Sequence, residues 1–238
     1  MDLKESALLG DAAAEHWYYR SKALAIRAYL GDRRIRRILD IGAGSGFFTR
    51  YLLEHSSAAS GMCVDTGYEA DRDEQWSGKA VSFRRSCDVD DADLVLFMDV
   101  LEHVDDDSGL LASYAAKVPP GATFLVTVPA FQWLWSSHDV FLEHRRRYHV
   151  AQLEATVARA GLQVVRCSYY FGFVLPIAAA LRLAERLAGG NKTPRSQLAL
   201  HSRPVDQMLR LLCRAEIRLL NRNRLGGLSV FCLAVKPA

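Results

Sequence analysis

Short apolar runs alternate with amphipathic stretches along the first half of the chain, a pattern typical of parallel α/β proteins. The runs have the length of buried strands, whereas residues 47–55 and 105–118 between them carry apolar positions at helical spacing. Pro119-Pro120-Gly121 ends the second of these helices. The predicted strands are Arg37–Gly42, Gly61–Asp65, Val81–Arg85, Asp93–Asp99 and Thr123–Pro129.

The two ends of the chain depart from this alternation. Apolar residues at helical spacing between Ala12 and Leu30 predict an N-terminal helical lid, residues 1–32. A mostly helical cap, residues 171–226, interrupts the later part of the chain. The remaining predicted elements are a helix over Ala151–Ala160, a strand over Leu162–Tyr170 and a last strand over Leu228–Val235. We predict one α/β domain over residues 1–238 that includes both the lid and the cap.

Composition narrows the class of protein only modestly. The chain has 238 residues, 50% of them hydrophobic, and a net charge of +3, which is too small to require a nucleic-acid partner. The five cysteines lack metal-ligand spacing and the acidic N-terminus lacks the apolar core of a secretory signal, so we expect buried thiols and a cytoplasmic location. No apolar run reaches the ~18 residues of a membrane span.

A glycine-rich turn after the first predicted strand carries the clearest chemical signal. Gly42 and Gly44 let the backbone approach a ligand closely, and the following helix offers free N–H groups. A dinucleotide fingerprint would place its third glycine at position 47, but Phe47 stands there and Gly46 comes one residue early. Asp40, two residues before the first glycine, would repel a pyrophosphate but suits an ammonium group. The turn therefore favours a cationic amino-acid ligand.

Asp65 ends the second predicted strand. A carboxylate at this place can accept hydrogen bonds from both hydroxyls of a ribose, which indicates a nucleoside without choosing between a nicotinamide cofactor and another one.

These segments together resemble the motifs of class I S-adenosylmethionine-dependent methyltransferases. The resemblance rests on ILDIGAGSGFF, the pair Val64-Asp65, FMDVLEHV and PPGATFLVTVP, between residues 37 and 129. It implies a Rossmann-like sheet of seven strands in the order 3-2-1-4-5-7-6 with an antiparallel seventh strand. It departs from the family in the short, irregular stretch Thr66–Lys79, where we predict no strand.

The same resemblance implies S-adenosylmethionine as methyl donor and S-adenosylhomocysteine as product. Asp88 is the candidate for the adenine, Met98 and Asp99 for the pocket lining, and Arg20 for the donor's carboxylate, with Trp17 and Tyr19 closing the pocket. The full set of expected donor-binding residues is Arg20, Asp40, Gly42, Gly44, Asp65, Asp88, Met98 and Asp99.

A histidine-rich segment follows the fifth predicted strand. Its pattern VPAFQWLWSSHD and EHRRRYH, with LEHVDDD before it, resembles a bacterial subgroup of the family that accompanies glycan and glycolipid pathways. His138 or His144 is a candidate base for a hydroxyl acceptor, oriented by Asp139. The alternative is that these residues cap helices and pair with Arg145, Arg146 and Arg147, which are themselves candidates for binding an anionic group.

Asp99, Glu102 and His103 raise the question of a divalent metal. Two carboxylates with one imidazole suit magnesium or zinc poorly unless a further histidine joins them, so we expect no metal and interpret this segment as shaping the donor pocket.

The cap carries arginines at intervals of four: Arg210, Arg214, Arg218 and Arg222. We interpret them as a stripe on one helix that lies either in water or against an anionic membrane surface, at the inner membrane face.

The resulting hypothesis is methyl transfer to a small-molecule acceptor, a hydroxyl of a glycan, a lipid-linked sugar or a secondary-metabolite intermediate. Amine, carboxylate and carbon acceptors stay open. The alternatives are a non-methylating protein that binds the same donor (a cyclase, sensor or scaffold) and a nicotinamide oxidoreductase.

Overall fold

The computed structural model describes residues 15–88, 91–187 and 202–238, so parts of the predicted lid and cap lie outside the described residues. The helices are α1 (Trp17–Leu30), α2 (Phe47–His55), α3 (Asp107–Lys117), α4 (Ser137–Phe141), α5 (Val150–Arg159), α6 (Leu175–Leu187) and α7 (Arg203–Glu216). The strands are β1 (Arg37–Ile41), β2 (Ser60–Val64), β3 (Arg72–Trp76), β4 (Lys79–Arg84), β5 (Leu94–Met98), β6 (Thr123–Pro129), β7 (Gln163–Tyr170) and β8 (Ser229–Val235).

All eight described strands form one sheet in the order β3-β4-β2-β1-β5-β6-β8-β7. The five strands from β4 to β6 in this order are parallel, and β8 lies antiparallel between β6 and β7. Leaving β3 aside, this is the predicted order 3-2-1-4-5-7-6. The α/β class and the Rossmann-like topology are therefore confirmed.

The prediction of no strand over 66–79 is wrong, because β3 pairs antiparallel with β4 at the sheet edge. Four of its five side chains are polar and all but that of Glu74 are exposed, so the strand lacks the alternation that a half-buried strand would show. Ser77 and Gly78 join the two strands with φ of 50° and 74°, the conformation of a two-residue hairpin turn. That Ser-Gly pair was the available signal.

Burial on both faces explains why the central strands are continuous apolar runs. Every residue of β5 is buried, and β1, β6 and β8 each have only one partly exposed residue. Helices α1, α2 and α7 pack on one face of the sheet and α3 and α5 on the other. All five cysteines are buried free thiols, as predicted.

Hydrogen bonds tie the lid helix α1 to the cap helix α7. The backbone N–H of Trp17 donates to Asp206 Oδ1 at 3.0 Å. The hydroxyl of Tyr170 lies 3.3 Å from the carbonyl of Ser21 on α1 and 3.1 Å from that of Cys213 on α7. The two helices therefore form one layer on the same face of the sheet.

The prediction of four arginines on one helix is wrong. Helix α7 ends at Glu216, so Arg218 and Arg222 lie beyond it, the latter in the short 3-10 turn Leu220–Arg222. The last residue of α7, Glu216, is buried and its side chain accepts the N–H groups of Gly172 at 2.7 Å and Phe173 at 3.2 Å. Within the described ranges, no helix is long and apolar enough to cross a bilayer.

Candidate active site

The glycine turn lies between the end of β1 and α2. Gly42 has φ of 64° and donates its N–H to the carbonyl of Val64 at 2.8 Å. A Cβ at Gly42 would stand 2.6 Å from Val100 Cγ2, so a side chain does not fit without a shift. Glycine is therefore required at this position for two reasons: the backbone is left-handed, and Val100, in the loop after β5, comes too close for a side chain.

Asp40 lies on β1 directly before this turn and is 1% exposed. Its Oδ2 accepts the hydroxyl of Thr49 at 2.8 Å, whereas Oδ1 has no hydrogen-bond partner among the described residues. Burial, and to a lesser extent the charge of Asp65, raises the pKa of Asp40 to about 6. A buried carboxylate oxygen without a partner is costly, and an ammonium group would satisfy it.

Asp65 faces the same turn from the end of β2. Its Oδ2 accepts the N–H of Gly44 at 2.9 Å and its Oδ1 accepts that of Gly67 at 2.9 Å. Both carboxylate oxygens are therefore oriented by backbone, and each keeps acceptor capacity for a second donor such as a ribose hydroxyl.

Asp99 follows β5 with φ of 57° and forms a part-buried ion pair with Lys22 of α1, whose side chain is fully buried. Thr127 donates to its other oxygen at 3.1 Å. Burial raises the pKa of Asp99, but the charge and hydrogen bond of Lys22 outweigh it and hold the pKa below its usual value. For Lys22, burial lowers the pKa, but the charges of Asp99 and Tyr18 outweigh it and raise the pKa above its usual range.

Lys22 was not predicted from the sequence. Its signal was a lysine within the apolar stripe of α1, at i+3 from Tyr19 and i−4 from Ile26, both of which are buried. A lysine in such a stripe needs a carboxylate partner.

Two of the proposed donor-binding residues lie away from this cluster. Arg20 pairs with Glu15 at 3.6 Å and lines a separate groove that also contains Arg210 and Arg214. Asp88 is exposed, after the end of β4. Their roles stay predictions.

A cavity of about 190 Å³ opens beside Met98 and Asp99, on the side of the lid. Trp17, Tyr18 and Tyr19 of α1 form one wall, and Tyr19 is 2% exposed. Further lining residues form what we call the histidine wall: Glu102, His103, Leu134, His138, Leu142, His144 and Arg147. The structure therefore brings both candidate histidines to one space with the end of β5.

Asp139 is fully buried and bonds to two of these lining residues, His144 and Arg147. Its Oδ1 lies 3.0 Å from His144 Nδ1 and 2.6 Å from Arg147 Nε, and its Oδ2 accepts Arg147 Nη2 at 2.9 Å. Burial raises the pKa of Asp139, but the hydrogen bonds from His144 and Arg147 outweigh it and hold the pKa far below its usual value. Asp139 is thus an anion at neutral pH and orients His144.

Helix capping is also present, since Asp139 and Ser136 form a capping box at the start of α4. The interpretation of Asp139 as a helix cap therefore matches the structure, whereas its role beside a catalytic base stays a prediction.

His138 lines the cavity on the neighbouring position of α4. Burial lowers its pKa to about 4, and the positive charge of Arg147 adds to the effect against the opposing charge of Asp139. The imidazole of His138 is consequently neutral at pH 7, with a lone pair that can accept a proton.

Arg145 and Arg146 are engaged with acidic residues that precede α3 or begin it. Arg145 forms an ion pair with Asp105, and Arg146 Nη1 lies 3.6 Å from Asp107 Oδ2. With Arg147 bound to Asp139, all three arginines of the predicted anion-binding loop have carboxylate partners within the chain.

The sequence profile of a methyltransferase domain family matches residues 14–166, which include the turn, both strand-end aspartates and the histidine wall. The chain belongs to this family. By fold and sequence it belongs with the class I S-adenosylmethionine-dependent methyltransferases, and two solved structures of the same fold hold S-adenosyl-L-methionine and S-adenosylhomocysteine.

One curated relative of this methyltransferase is the trans-aconitate 2-methyltransferase of Mycobacterium marinum, which is 27% identical over 150 residues. The match covers 61% of this chain and 57% of that protein, so the chain spans little more than half of the relative's length.

Solved structures agree on the fold. A methyltransferase in complex with the Trm112 activator of Haloferax volcanii has 18% identity and a TM-score of 0.58, with 100% of each chain covered. Phosphoethanolamine N-methyltransferase 2 of Haemonchus contortus, bound to S-adenosyl-L-methionine, has 18% identity and a TM-score of 0.55, covering 91% of this chain and 52% of that one. At these identities the likeness concerns the fold alone.

Proposed function

We propose that this methyltransferase transfers the methyl group of S-adenosylmethionine to a hydroxyl of a glycan, a lipid-linked sugar or a secondary-metabolite intermediate. The observation that carries the donor half of this proposal is the buried, unpartnered Oδ1 of Asp40 beside the glycine turn. A cationic amino-acid end of the donor would satisfy it, whereas a pyrophosphate would be repelled.

In this proposal Asp40 binds the donor's ammonium group, and Asp65 accepts the ribose hydroxyls. Gly42 and Gly44 leave room for the donor against the turn, and Met98 and Asp99 line its pocket. Asp88 is assigned to the adenine and Arg20 to the donor's carboxylate. The donor supplies an electrophilic methyl group on a sulfonium.

The acceptor occupies the cavity between α1 and the histidine wall. Methyl transfer is an in-line displacement that requires the nucleophile about 3–3.5 Å from the methyl group. A hydroxyl must also lose its proton, and His138 or His144 accepts it, with Asp139 orienting His144. The aromatic side chains of Trp17, Tyr18 and Tyr19 exclude water from this space.

A hydroxyl fits the cavity better than a carboxylate acceptor does. A carboxylate acceptor needs no base, whereas the cavity presents two imidazoles, His138 and His144, that are suited to accept the proton of a hydroxyl. The relative that acts on trans-aconitate makes a tricarboxylate the obvious comparison substrate.

Contact with a membrane surface at the inner face also stays a prediction. Its support is helix α6, which has no buried residue and exposes Ile177, Leu181, Leu183 and Leu187. Co-sedimentation with vesicles of anionic phospholipid, against vesicles of phosphatidylcholine, tests it.

Calorimetry with S-adenosylmethionine, S-adenosylhomocysteine and NAD, followed by an assay for S-adenosylhomocysteine formation, tests the proposed function. We expect binding of the first two ligands, no binding of NAD, and turnover with hydroxyl-bearing glycans or glycolipids but not with trans-aconitate. Turnover with trans-aconitate alone would contradict the acceptor class. Donor binding with a converted acceptor but no S-adenosylhomocysteine would favour the non-methylating alternative.

A further inference from the structure

Glu102 is a buried acidic side chain at the cavity that forms no ion pair among the described residues. It is fully buried, and neither Oε1 nor Oε2 has a hydrogen-bond partner among them. The neighbouring cations already have carboxylates of their own: Lys22 pairs with Asp99, Arg147 with Asp139 and Arg182 with Glu185. A buried carboxyl group without partners is satisfied when a cation binds beside it.

Two imidazoles lie beside it. His103 is the next residue in the turn Leu101–His103, and its ring centroid lies 4.8 Å from that of His144, with the rings at 80°. One ligand atom from each of Glu102, His103 and His144 lies within 4.8 Å of the other two. Two imidazoles and one carboxylate form a ligand set that divalent transition metals prefer.

A hydrogen bond to Asp139 fixes the orientation of the His144 ring. Its Nδ1 bonds to Asp139, which leaves Nε2 as the atom toward His103, the arrangement in which a carboxylate orients a metal-bound histidine. The backbone holds the two segments together as well, because Arg145 donates its N–H to the carbonyl of Glu102 at 2.7 Å. Glu143, with φ of 59°, turns the chain into this position.

We propose that Glu102, His103 and His144 bind a divalent transition-metal ion of the zinc type, with open positions that face the acceptor cavity. Ligand atoms around a tetrahedral ion at 2.0–2.2 Å lie about 3.4 Å apart, a change that side-chain rotation provides. The site differs from the three residues considered in the sequence, since Asp99 is held by Lys22 and the distant His144 replaces it.

The proposal goes beyond the proposed function and sharpens its acceptor side. An oxygen of the acceptor becomes a ligand of the ion, which lowers the pKa of a bound hydroxyl. Because His144 is then a ligand, proton transfer falls to His138. Donor binding at Asp40 does not involve the ion, so the two proposals can fail separately.

Titration of the tag-free, metal-stripped protein with Co²⁺, followed by its visible absorption, tests the site. We expect one ion per chain with the spectrum of nitrogen and oxygen ligands, displaced by Zn²⁺ but not by Mg²⁺. Glu102→Gln, His103→Ala and His144→Ala each lower the Co²⁺ affinity at least about 10-fold, and Asp139→Asn lowers it about 10- to 100-fold through the orientation of His144.

His55→Ala is the matched control, because His55 stacks on Tyr51 far from the cavity. S-adenosylhomocysteine binding and circular dichroism of every variant show that it is folded. The proposal is overturned if the wild-type protein binds no Co²⁺, or if His55→Ala lowers the affinity as much as the three ligand variants do. If only the donor fails to bind, the metal site stands and the proposed function does not.

Discussion

The donor side and the acceptor side of this site are built in different ways. On the donor side, Asp40, the glycines and Thr49 belong to one continuous β1–turn–α2 unit, and only Asp65 comes from the next strand. On the acceptor side, α1, the end of β5 and residues 132–147 meet in one cavity. The proposed donor recognition thus depends on one local unit, whereas the proposed acceptor chemistry depends on how three separate segments pack.

His138→Ala gives the largest expected difference between the two sides of the site, because it should lower kcat without changing donor affinity. If His138 is the proton acceptor, kcat falls by about 10²–10⁴-fold because the hydroxyl keeps its proton, while donor affinity is unchanged. Steady-state kinetics and calorimetry with S-adenosylhomocysteine measure the two quantities. A full loss of kcat in His144→Ala with an unaffected His138→Ala would transfer this role to His144.

Lys22→Met tests whether the lid is part of the acceptor side. It removes the ion-pair partner of Asp99, whose side chain is 30% exposed and keeps its bond from Thr127, and we expect the free energy of unfolding to fall by about 2–4 kcal/mol. Urea denaturation measures this loss, with Lys79→Met at the sheet edge as control. The double variant with Asp99→Asn should recover at least half of it; if it recovers none, the ion pair is not the cause.

Gly42→Ala tests how tightly the donor turn is built. A positive φ costs about 1–2 kcal/mol and the contact with Val100 adds about 1–3 kcal/mol. Gly31→Ala is the matched control, because Gly31 has φ of 62° but a Cβ at that position would meet nothing within 4 Å. Equal losses in the free energy of unfolding for both variants would show that the close approach of Val100 is unimportant.

Asp40→Asn is expected to change the stability of the chain least, but to lower its affinity for the donor product clearly. We expect affinity for S-adenosylhomocysteine to fall about 10- to 100-fold, because a charge-assisted hydrogen bond is lost. The exposed Asp91→Asn is the control.

The pH dependence of Tm in the wild-type protein and in Asp40→Asn provides an independent test. The folded pKa of Asp40 is raised to about 6, above the unfolded value near 4. The wild-type carboxylate therefore opposes folding increasingly as pH rises between these values, and fully above them. Asp40→Asn should raise the Tm of the unliganded protein at pH 7 but not at pH 4, while wild-type donor affinity should fall as pH drops below 6. An equal Tm at pH 7 would contradict this account.

Local sequence by itself determined the donor half of this protein. Apolar runs gave the strands, the spacing of Gly42 and Gly44 gave the turn, and Asp40 and Asp65 follow from their places at strand ends, because these features depend on neighbours along the chain. Tertiary structure decided the rest. It paired Lys22 with Asp99, bound Arg147 to Asp139, left Glu102 buried beside His103 and His144, and ended α7 before Arg218. These relations depend on burial and on contacts between distant segments, and no periodicity along the chain records them.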